Sequence, residues 1–233
     1  MLTGKGEPTL YPDQITQYLS RLYDEKFRYE FSFRELQTNG ILLVERSFDK
    51  YLEEWYDLWL TTIAISMVDS DPEKNRQIFL PHKKSYIDLP GLIDELHDIG
   101  YSVRLSCVML KEYIDDVEGI ERLVKFSKDN RVEQLSVRSV EVTEKSQNKE
   151  VNEWTEKHKI DDKLDGIRQY LNRNGKILDI LPHGAIVYDL YGQNICLTNA
   201  LTIQPKIRKK RQLIFYPDGH LRYDWQYQGA ILL

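Results

Sequence analysis

Thr61-Thr62-Ile63-Ala64-Ile65-Ser66-Met67-Val68-Asp69 decides the fold class. Residues 61–68 are almost continuously apolar, the pattern of a strand covered on both faces. Asp69-Ser70-Asp71-Pro72 then breaks the run. Strands of this kind belong to parallel sheets, whose neighbours are joined by helical crossovers. The flanking sequence supplies those crossovers. Upstream, Ser47 suits the cap of a helix over 48–60, with Tyr51, Leu52, Trp55, Leu58 and Trp59 inward. Downstream, a polar loop with His82-Lys83-Lys84 leads to a helix over 90–99, stopped by Gly100.

The alternation continues outward. Residues 12–23 read as a helix that starts on Pro12 and buries Ile15, Tyr18, Leu19 and Leu22. Residues 30–36 read as a strand with Phe31 and Phe33 on one face, closed by Gln37-Thr38-Asn39-Gly40. A strand over 101–110, a helix over 117–128 with Ile120, Leu123 and Val124 inward, and a strand over 134–140 follow. Helix and strand in strict alternation predict parallel strands, in either a barrel or an open doubly wound sheet. After Glu141 the character changes. A polar loop over 143–152 precedes a helix over 160–171 that ends near Asn174-Gly175. Two hairpins are then expected, over 185–198 turning at Tyr191-Gly192-Gln193 and over 212–225 turning at Pro217-Asp218-Gly219. Their aromatic residues, Tyr188, Tyr191, Tyr216, Tyr223 and Trp225, lie at strand spacing and are expected to pack the hairpins.

Composition narrows the function classes. The chain has 233 residues, 41% hydrophobic and 30% charged, enough apolar side chains for a sizeable core. No apolar run approaches the roughly 18 residues of a membrane span, and no basic-then-apolar leader is present, so a cytoplasmic location is the expectation. A net charge of −5 speaks against a general nucleic-acid binder. The basic cluster Lys206, Arg208, Lys209, Lys210 and Arg211 reads as a solvated connector. Cys107 and Cys196 are far apart, and five histidines are scattered without helical pairing, so no metal site built by this chain is expected. Hydrolase and nucleotide-cradling loop motifs are absent.

One loop carries chemistry. Thr3-Gly4-Lys5-Gly6-Glu7-Pro8-Thr9-Leu10 places two glycines around one residue, then a carboxylate fixed by a proline, then a helix. Glycines allow close backbone approach, and Pro8 biases Glu7 toward extended backbone. Such a loop suits an ammonium ligand, which needs carbonyl and carboxylate acceptors; its bland reading is a strand-to-helix turn. Each predicted strand also ends in polar residues: Glu35 to Gly40, then Ser66 and Asp69, then Arg104 and Ser106, then Arg138 and Glu141. In parallel α/β folds, ligands bind where such ends converge.

The ordered set resembles the radical S-adenosylmethionine superfamily over residues 1–145. Thr3 to Leu10 looks like that family's glycine-glycine-glutamate-proline motif, with Lys5 in place of a glycine. Residues 35–42 look like its third strand with a Thr-Asn-Gly ending, 61–69 like the fourth, and 101–110 and 133–141 like the fifth and sixth. The resemblance implies a partial (β/α)6 TIM-like barrel over 1–145, N-terminally truncated, with 146–233 as a C-terminal α+β extension of antiparallel hairpins. It implies that Gly4, Gly6 and Glu7 hold the amino group of S-adenosylmethionine. Ser66 would contact the ribose or carboxylate, and Arg104 or Ser106 the carboxylate or substrate. Thr38, Asn39 and Arg138 would border the substrate, whose identity stays open.

The family also binds a [4Fe–4S] cluster through a C-x3-C-x2-C loop, which these residues lack. The resemblance therefore implies that the cluster, and the 5′-deoxyadenosyl radical it generates, belong only to the full-length enzyme. A missing N-terminal segment, or a partner chain, would supply it. The alternative expectation is a non-catalytic binding or accessory protein on the same scaffold.

Overall fold

The computed structural model describes residues 1–3, 6–24, 31, 33–79, 84–142, 148–181, 184–198, 214–215 and 220–222. Its strands are β1 (Glu35–Thr38), β2 (Thr62–Met67), β3 (Ser102–Met109), β4 (Gln134–Ser139), β5 (Lys176–Ile180), β6 (Ile186–Leu190), β7 (Gln193–Thr198), β8 (Ile214–Phe215) and β9 (Leu221–Arg222). Its helices are α1 (Pro12–Tyr23), α2 (Asp49–Asp57), α3 (Pro72–Phe79), α4 (Leu89–Ile99), α5 (Val117–Asp129), α6 (Lys149–His158) and α7 (Asp161–Asn174). Seven strands form one mixed, mostly parallel sheet in the order β1-β2-β3-β4-β7-β6-β5, and β8 pairs with β9 in a second sheet. Strands β1 to β4 and β7 are parallel; β6 pairs antiparallel with β7, and β5 antiparallel with β6, so that β5 runs with the parallel set.

Strand order decides between the two architectures that alternation left open. A doubly wound sheet reverses its order midway, which puts helices on both faces. Consecutive order with crossovers of one hand keeps every helix on the same face. β1 to β4 are consecutive, so this half of the sheet is singly wound. Burial agrees. Leu36, Ile63, Ile65, Met67, Val103, Leu105, Cys107, Met109, Leu135 and Val137 are almost fully buried with the inward residues of the helices. The alternating positions Gln37, Ser66, Arg104, Gln134, Ser136 and Arg138 are polar and half-buried or exposed, while Thr62, Ala64 and Ser106 on the same face are buried. One face is therefore the hydrophobic core, and the other is more polar and open chiefly at Gln37, Ser66, Arg104, Gln134, Ser136 and Arg138. The near-continuous apolar run of β2 reflects depth in the sheet, with Ser66 its break toward the open side.

The sheet does not close. β1 and β5 are its two edges, so the expected partial barrel stands here as an open singly wound sheet. Beyond β1, Leu2 bridges Leu36 in parallel: its N–H donates to Glu35 O at 2.6 Å, and Gln37 N–H donates to Leu2 O at 2.9 Å. The residues before the glycine loop thus run alongside β1.

Elements with strong apolar periods fall where expected, while several details shift. α1 spans the expected residues, but Tyr18 faces solvent. Phe31 and Phe33 are exposed ahead of β1 instead of lying within it. Arg34 holds that start, donating to Leu58 O at 2.7 Å and Leu22 O at 2.8 Å. Ser47 does not cap α2, whose N-cap is Phe48 without a side-chain bond. Trp59, at φ 66, terminates the helix earlier than the apolar pattern implied. α3 and α6 were not expected. Asp71-Pro72 reads as a breaker, yet proline also suits a first helical turn. α6 buries no residue, so no apolar stripe announces it. β5 is exposed throughout and also escaped the period reading.

The hairpin β6–β7 turns on Tyr191 (φ 55) and Gly192 (φ 87), the left-handed pair of a two-residue turn. Tyr191 is therefore exposed at the tip and does not pack the hairpin; Tyr188 does, donating to Asn172 Oδ1 at 2.8 Å. Through β7 the hairpin joins the main sheet beside β4. The basic cluster, the turn at Pro217-Asp218-Gly219, Tyr216, Tyr223 and Trp225 lie outside the described residues. Among the described residues, no helix is long and apolar enough to cross a membrane.

Candidate functional site

The glycine loop is held by its own carboxylate. Glu7 has extended backbone (φ −86, ψ 113), as Pro8 requires, and caps a 3₁₀ turn over Pro8–Leu10. Its Oε1 accepts from Thr9 N–H at 3.0 Å, Thr9 Oγ1 at 2.7 Å and Thr38 Oγ1 at 2.7 Å. Its Oε2 accepts from Asn39 N–H at 2.8 Å. The loop is thereby pinned to the C-terminal end of β1. An ionised carboxylate offers about four acceptor positions, so Oε1 is saturated and Oε2 retains capacity for a further donor.

The strand end is equally ordered. Thr38 Oγ1 accepts from Gly40 N–H at 3.0 Å while donating to Glu7, and Asn39 Oδ1 accepts from Ile41 N–H at 2.9 Å. Gly40 takes φ +75, and a Cβ there would press on Leu92, Ile87 and Ile65 at 3.2 to 3.4 Å. Glycine is thus needed for both conformation and packing. Thr38 and Asn39 fix the turn through these bonds, and both still border the cleft described next.

Thr3, Gly6, Glu7, Pro8, Gln37, Thr38, Asn39, Ser66 and Phe79 line a cleft of about 230 Å³. Loop, β1 end, β2 and α3 converge there. Gln37 Nε2 reaches Ser66 Oγ at 3.4 Å. Phe79 forms an aromatic wall, stacked on Tyr86 with ring centroids 6.4 Å apart. The Tyr86 hydroxyl is buried without a partner among the described residues, and burial pushes its pKa up. No sequence signal marks Phe79, because it sits on α3, which opens on the Asp71-Pro72 break. Gln37 could have been found, since β1 alternation places it on the same side as Glu35. Gly4 lies outside the described residues.

Ser66 is set by the loop that follows it. The buried Asn75 side chain accepts from Val68 N–H at 2.8 Å and Asp69 N–H at 3.4 Å, and donates to the carbonyls of Asp69 and Asp71. Buried Asp69 accepts from Asp71 N–H and from Lys74 Nζ, at 3.1 and 2.9 Å. The C-terminal end of β2 is therefore rigid where it meets the cleft.

Other candidate residues lie along the open face. Arg104 is outside the cleft: it pairs with Glu35 at 2.6 Å and shares Gln134 Oε1 through Nε at 2.8 Å and Nη2 at 2.5 Å. Its register partner Ala64 puts it one pleat below Ser66. Ser106 lies between Ser66 and Ser136 in register and is nearly buried. Arg138 sits one pleat further toward the C-terminal rim of β4, beside Val108 and Thr198. A larger cleft, about 310 Å³, lies between α5 and the β6–β7 turn. Its cations are already matched, Lys125 by Asp129 and Lys128 by Tyr191 O, so it offers little to a polar ligand.

The two groups implied by the resemblance fit unequally. The cleft offers the spare acceptor of Glu7, the Ser66 hydroxyl and the Phe79 wall, which suit an amino acid joined to a nucleoside. The iron–sulfur cluster does not fit. It requires three thiolates close together, while Cys107 is buried on the helix side of β3 and Cys196 lies on the open face of β7. Burial pushes both thiols up, Cys196 against a lowering pull from Arg104. Among the described residues, no group of three or more His, Cys, Asp or Glu could hold a metal ion.

No family model matches the chain, and no curated protein matches it. Three solved structures of Streptococcus suis SuiB are similar. SuiB bound to the precursor peptide SuiA has a TM-score of 0.47 and 22% identity, covering 72% of this chain and 33% of that one. SuiB bound to S-adenosylmethionine has a TM-score of 0.44 and 20% identity, covering 72% and 34%. SuiB alone has a TM-score of 0.48 and 19% identity, covering 84% and 38%. The chain spans between 33% and 38% of the length of these SuiB chains.

Proposed function

We propose that this chain binds S-adenosylmethionine at the cleft between the glycine loop and β2, as the ligand-holding part of a radical S-adenosylmethionine enzyme. The observation that carries the reading is the convergence of Gly6, Glu7, Thr38, Asn39 and Ser66 on one cleft, from three separate stretches of sequence. The methionyl ammonium would meet Glu7 Oε2 and loop carbonyls, the ribose hydroxyls would meet Ser66 and Gln37, and Phe79 would border the base. Glu7 then has two tasks, holding the loop to β1 and presenting its spare acceptor. The cleft falls below the roughly 300–1,000 Å³ of ligand pockets, and the open polar face beside it extends the binding surface.

S-adenosylmethionine held there would supply radical chemistry only in company with an iron–sulfur cluster, and the part of this chain would be to hold and orient it through Gly6, Glu7 and Ser66. These residues do not hold the cluster, so in this reading a cysteine-bearing segment or partner chain outside the 233 residues provides it. The second reading is a non-catalytic binding or accessory protein, favoured by the absence of that thiolate triad. Both readings require the same binding step.

Titration calorimetry with S-adenosylmethionine tests that step. The wild-type chain is expected to bind saturably. Ser66→Val, which removes a hydroxyl and fills the cleft floor, is expected to weaken binding by about fivefold or more, the worth of about 1 kcal/mol. Equal affinity in the two proteins would place the ligand elsewhere. Cleavage assays with a cluster-bearing partner then separate enzyme from accessory protein.

A further inference from the structure

The open face of the sheet carries two arginines, and their environments differ. Arg104 is neutralised by Glu35 and hydrogen-bonded to Gln134. Arg138, on the adjacent strand, has no carboxylate or carbonyl partner among the described residues, and its side chain is exposed. It is still not an ordinary solvated surface arginine. Enough protein surrounds the guanidinium that lost hydration pulls its pKa down. Its flanks in register are Val108 on β3 and Thr198 on β7, neither of which brings negative charge.

Position matters as much as pairing. Arg138 stands at the C-terminal rim of β4, one pleat beyond Ser136, in the row above Ser66 and Ser106. Two strand spacings separate β2 from β4, so the guanidinium base lies about 10 Å across the sheet from Ser66. The row between them carries only the small side chains Ser66, Ser106 and Ser136, with Ser66 and Ser136 half-buried and Ser106 buried between them, so no bulky side chain of that row stands between Arg138 and the cleft. An exposed guanidinium with no partner among the described residues, at that distance, is a ready site for an oxyanion, which it can meet with two parallel N–H donors.

We propose that Arg138 anchors the carboxylate of a ligand lying across the open face of the sheet. Among the described residues, Arg138 is the one unmatched cation at this end of the sheet, and a single positive charge suits a carboxylate's single negative charge; Arg104 is already committed to Glu35. The chemical class that fits is a peptide or amino-acid derivative with an acidic side chain or free C-terminus. Identifying that ligand as the substrate rests on the function proposed above, whereas the anchor does not.

The full chain, labelled with nitrogen-15 at arginine, is titrated without S-adenosylmethionine against three probes: Ac-Gly-Asp-Gly-NH2, Ac-Gly-Asn-Gly-NH2 and inorganic phosphate. The Nε–H resonance of Arg138 is assigned by its loss in Arg138→Gln. The acidic peptide is expected to shift that resonance saturably and to bind about tenfold or more tighter than its amide twin. Arg138→Gln should abolish the difference, and Arg138→Lys, which keeps charge but loses the planar fork, should retain only part of it. Equal binding of the two peptides, tighter binding of phosphate, or an unchanged preference in Arg138→Gln would each overturn the anchor. If Arg138→Gln does not fold, Arg138→Lys supplies both the assignment, by loss of the same resonance, and the comparison, and an unchanged preference in it overturns the anchor. A chain that prefers the acidic peptide but ignores S-adenosylmethionine keeps the anchor and loses the proposed cofactor.

Discussion

Glu7→Ala is expected to lower the melting temperature and to eliminate measurable binding of S-adenosylmethionine. Four donors lose their acceptor at once: Thr9 N–H, Thr9 Oγ1, Thr38 Oγ1 and Asn39 N–H. Hydrogen bonds to a charged group contribute about 1.5–3 kcal/mol each when buried, and this cluster is only half-buried, so a total of about 2–3 kcal/mol is expected. For a chain of this size that is a fall of roughly 5–10 °C in Tm. Glu7→Gln separates the two roles. Its carbonyl can still accept from Thr9 and Thr38, but its amide opposes Asn39 N–H and carries no charge for an ammonium. Its Tm should lie between the other two, while affinity should fall by about tenfold or more. An unchanged Tm in Glu7→Ala, followed by scanning calorimetry, would mean that the loop is not held by this carboxylate.

Asn75→Ala should cost more stability still. The side chain is buried, accepts from two backbone N–H groups and donates to two carbonyls around the end of β2. Removing it leaves buried backbone groups without partners, at about 1–3 kcal/mol for each group. A loss of about 3 kcal/mol or more is expected, equivalent to roughly 6–12 °C in Tm. Because Val68 and Asp69 follow Ser66 directly, the same variant should also loosen ligand binding, with amide exchange rising across residues 66–71. A drop in Tm of only a degree or two would show that the loop finds other partners.

The sequence was most informative where burial leaves a period. β2, β3, α4 and α5 bury one continuous apolar stripe or run, and their positions follow from it. α6 and β5 have no buried residue, so nothing periodic marks them. The strand before Asn39 was misread because Phe31 and Phe33 are aromatic yet exposed, and because Arg34, a buried cation, starts the ordered segment. Strand order was beyond reach from alternation alone, since singly and doubly wound sheets have the same element string. It is the consecutive pairing of β1 to β4 that leaves one face open.

The site was legible as residue types and only partly as geometry. Glu7, Thr38, Asn39 and Ser66 converge on one cleft although up to 59 positions separate them in sequence. Arg104 carries the right chemistry for a carboxylate, but Glu35 on the next-but-one strand already occupies it. Such neutralisation depends on three strands lying in register, information no local motif contains. Phe79 depended on a helix that Asp71-Pro72 disguised as a break.

A crystal structure of the chain grown with S-adenosylmethionine is expected to show the methionyl nitrogen against Gly6 and Glu7, with the ribose beside Ser66. Ligand density seated away from Glu7, for instance in the groove between α5 and Tyr191, would contradict that placement.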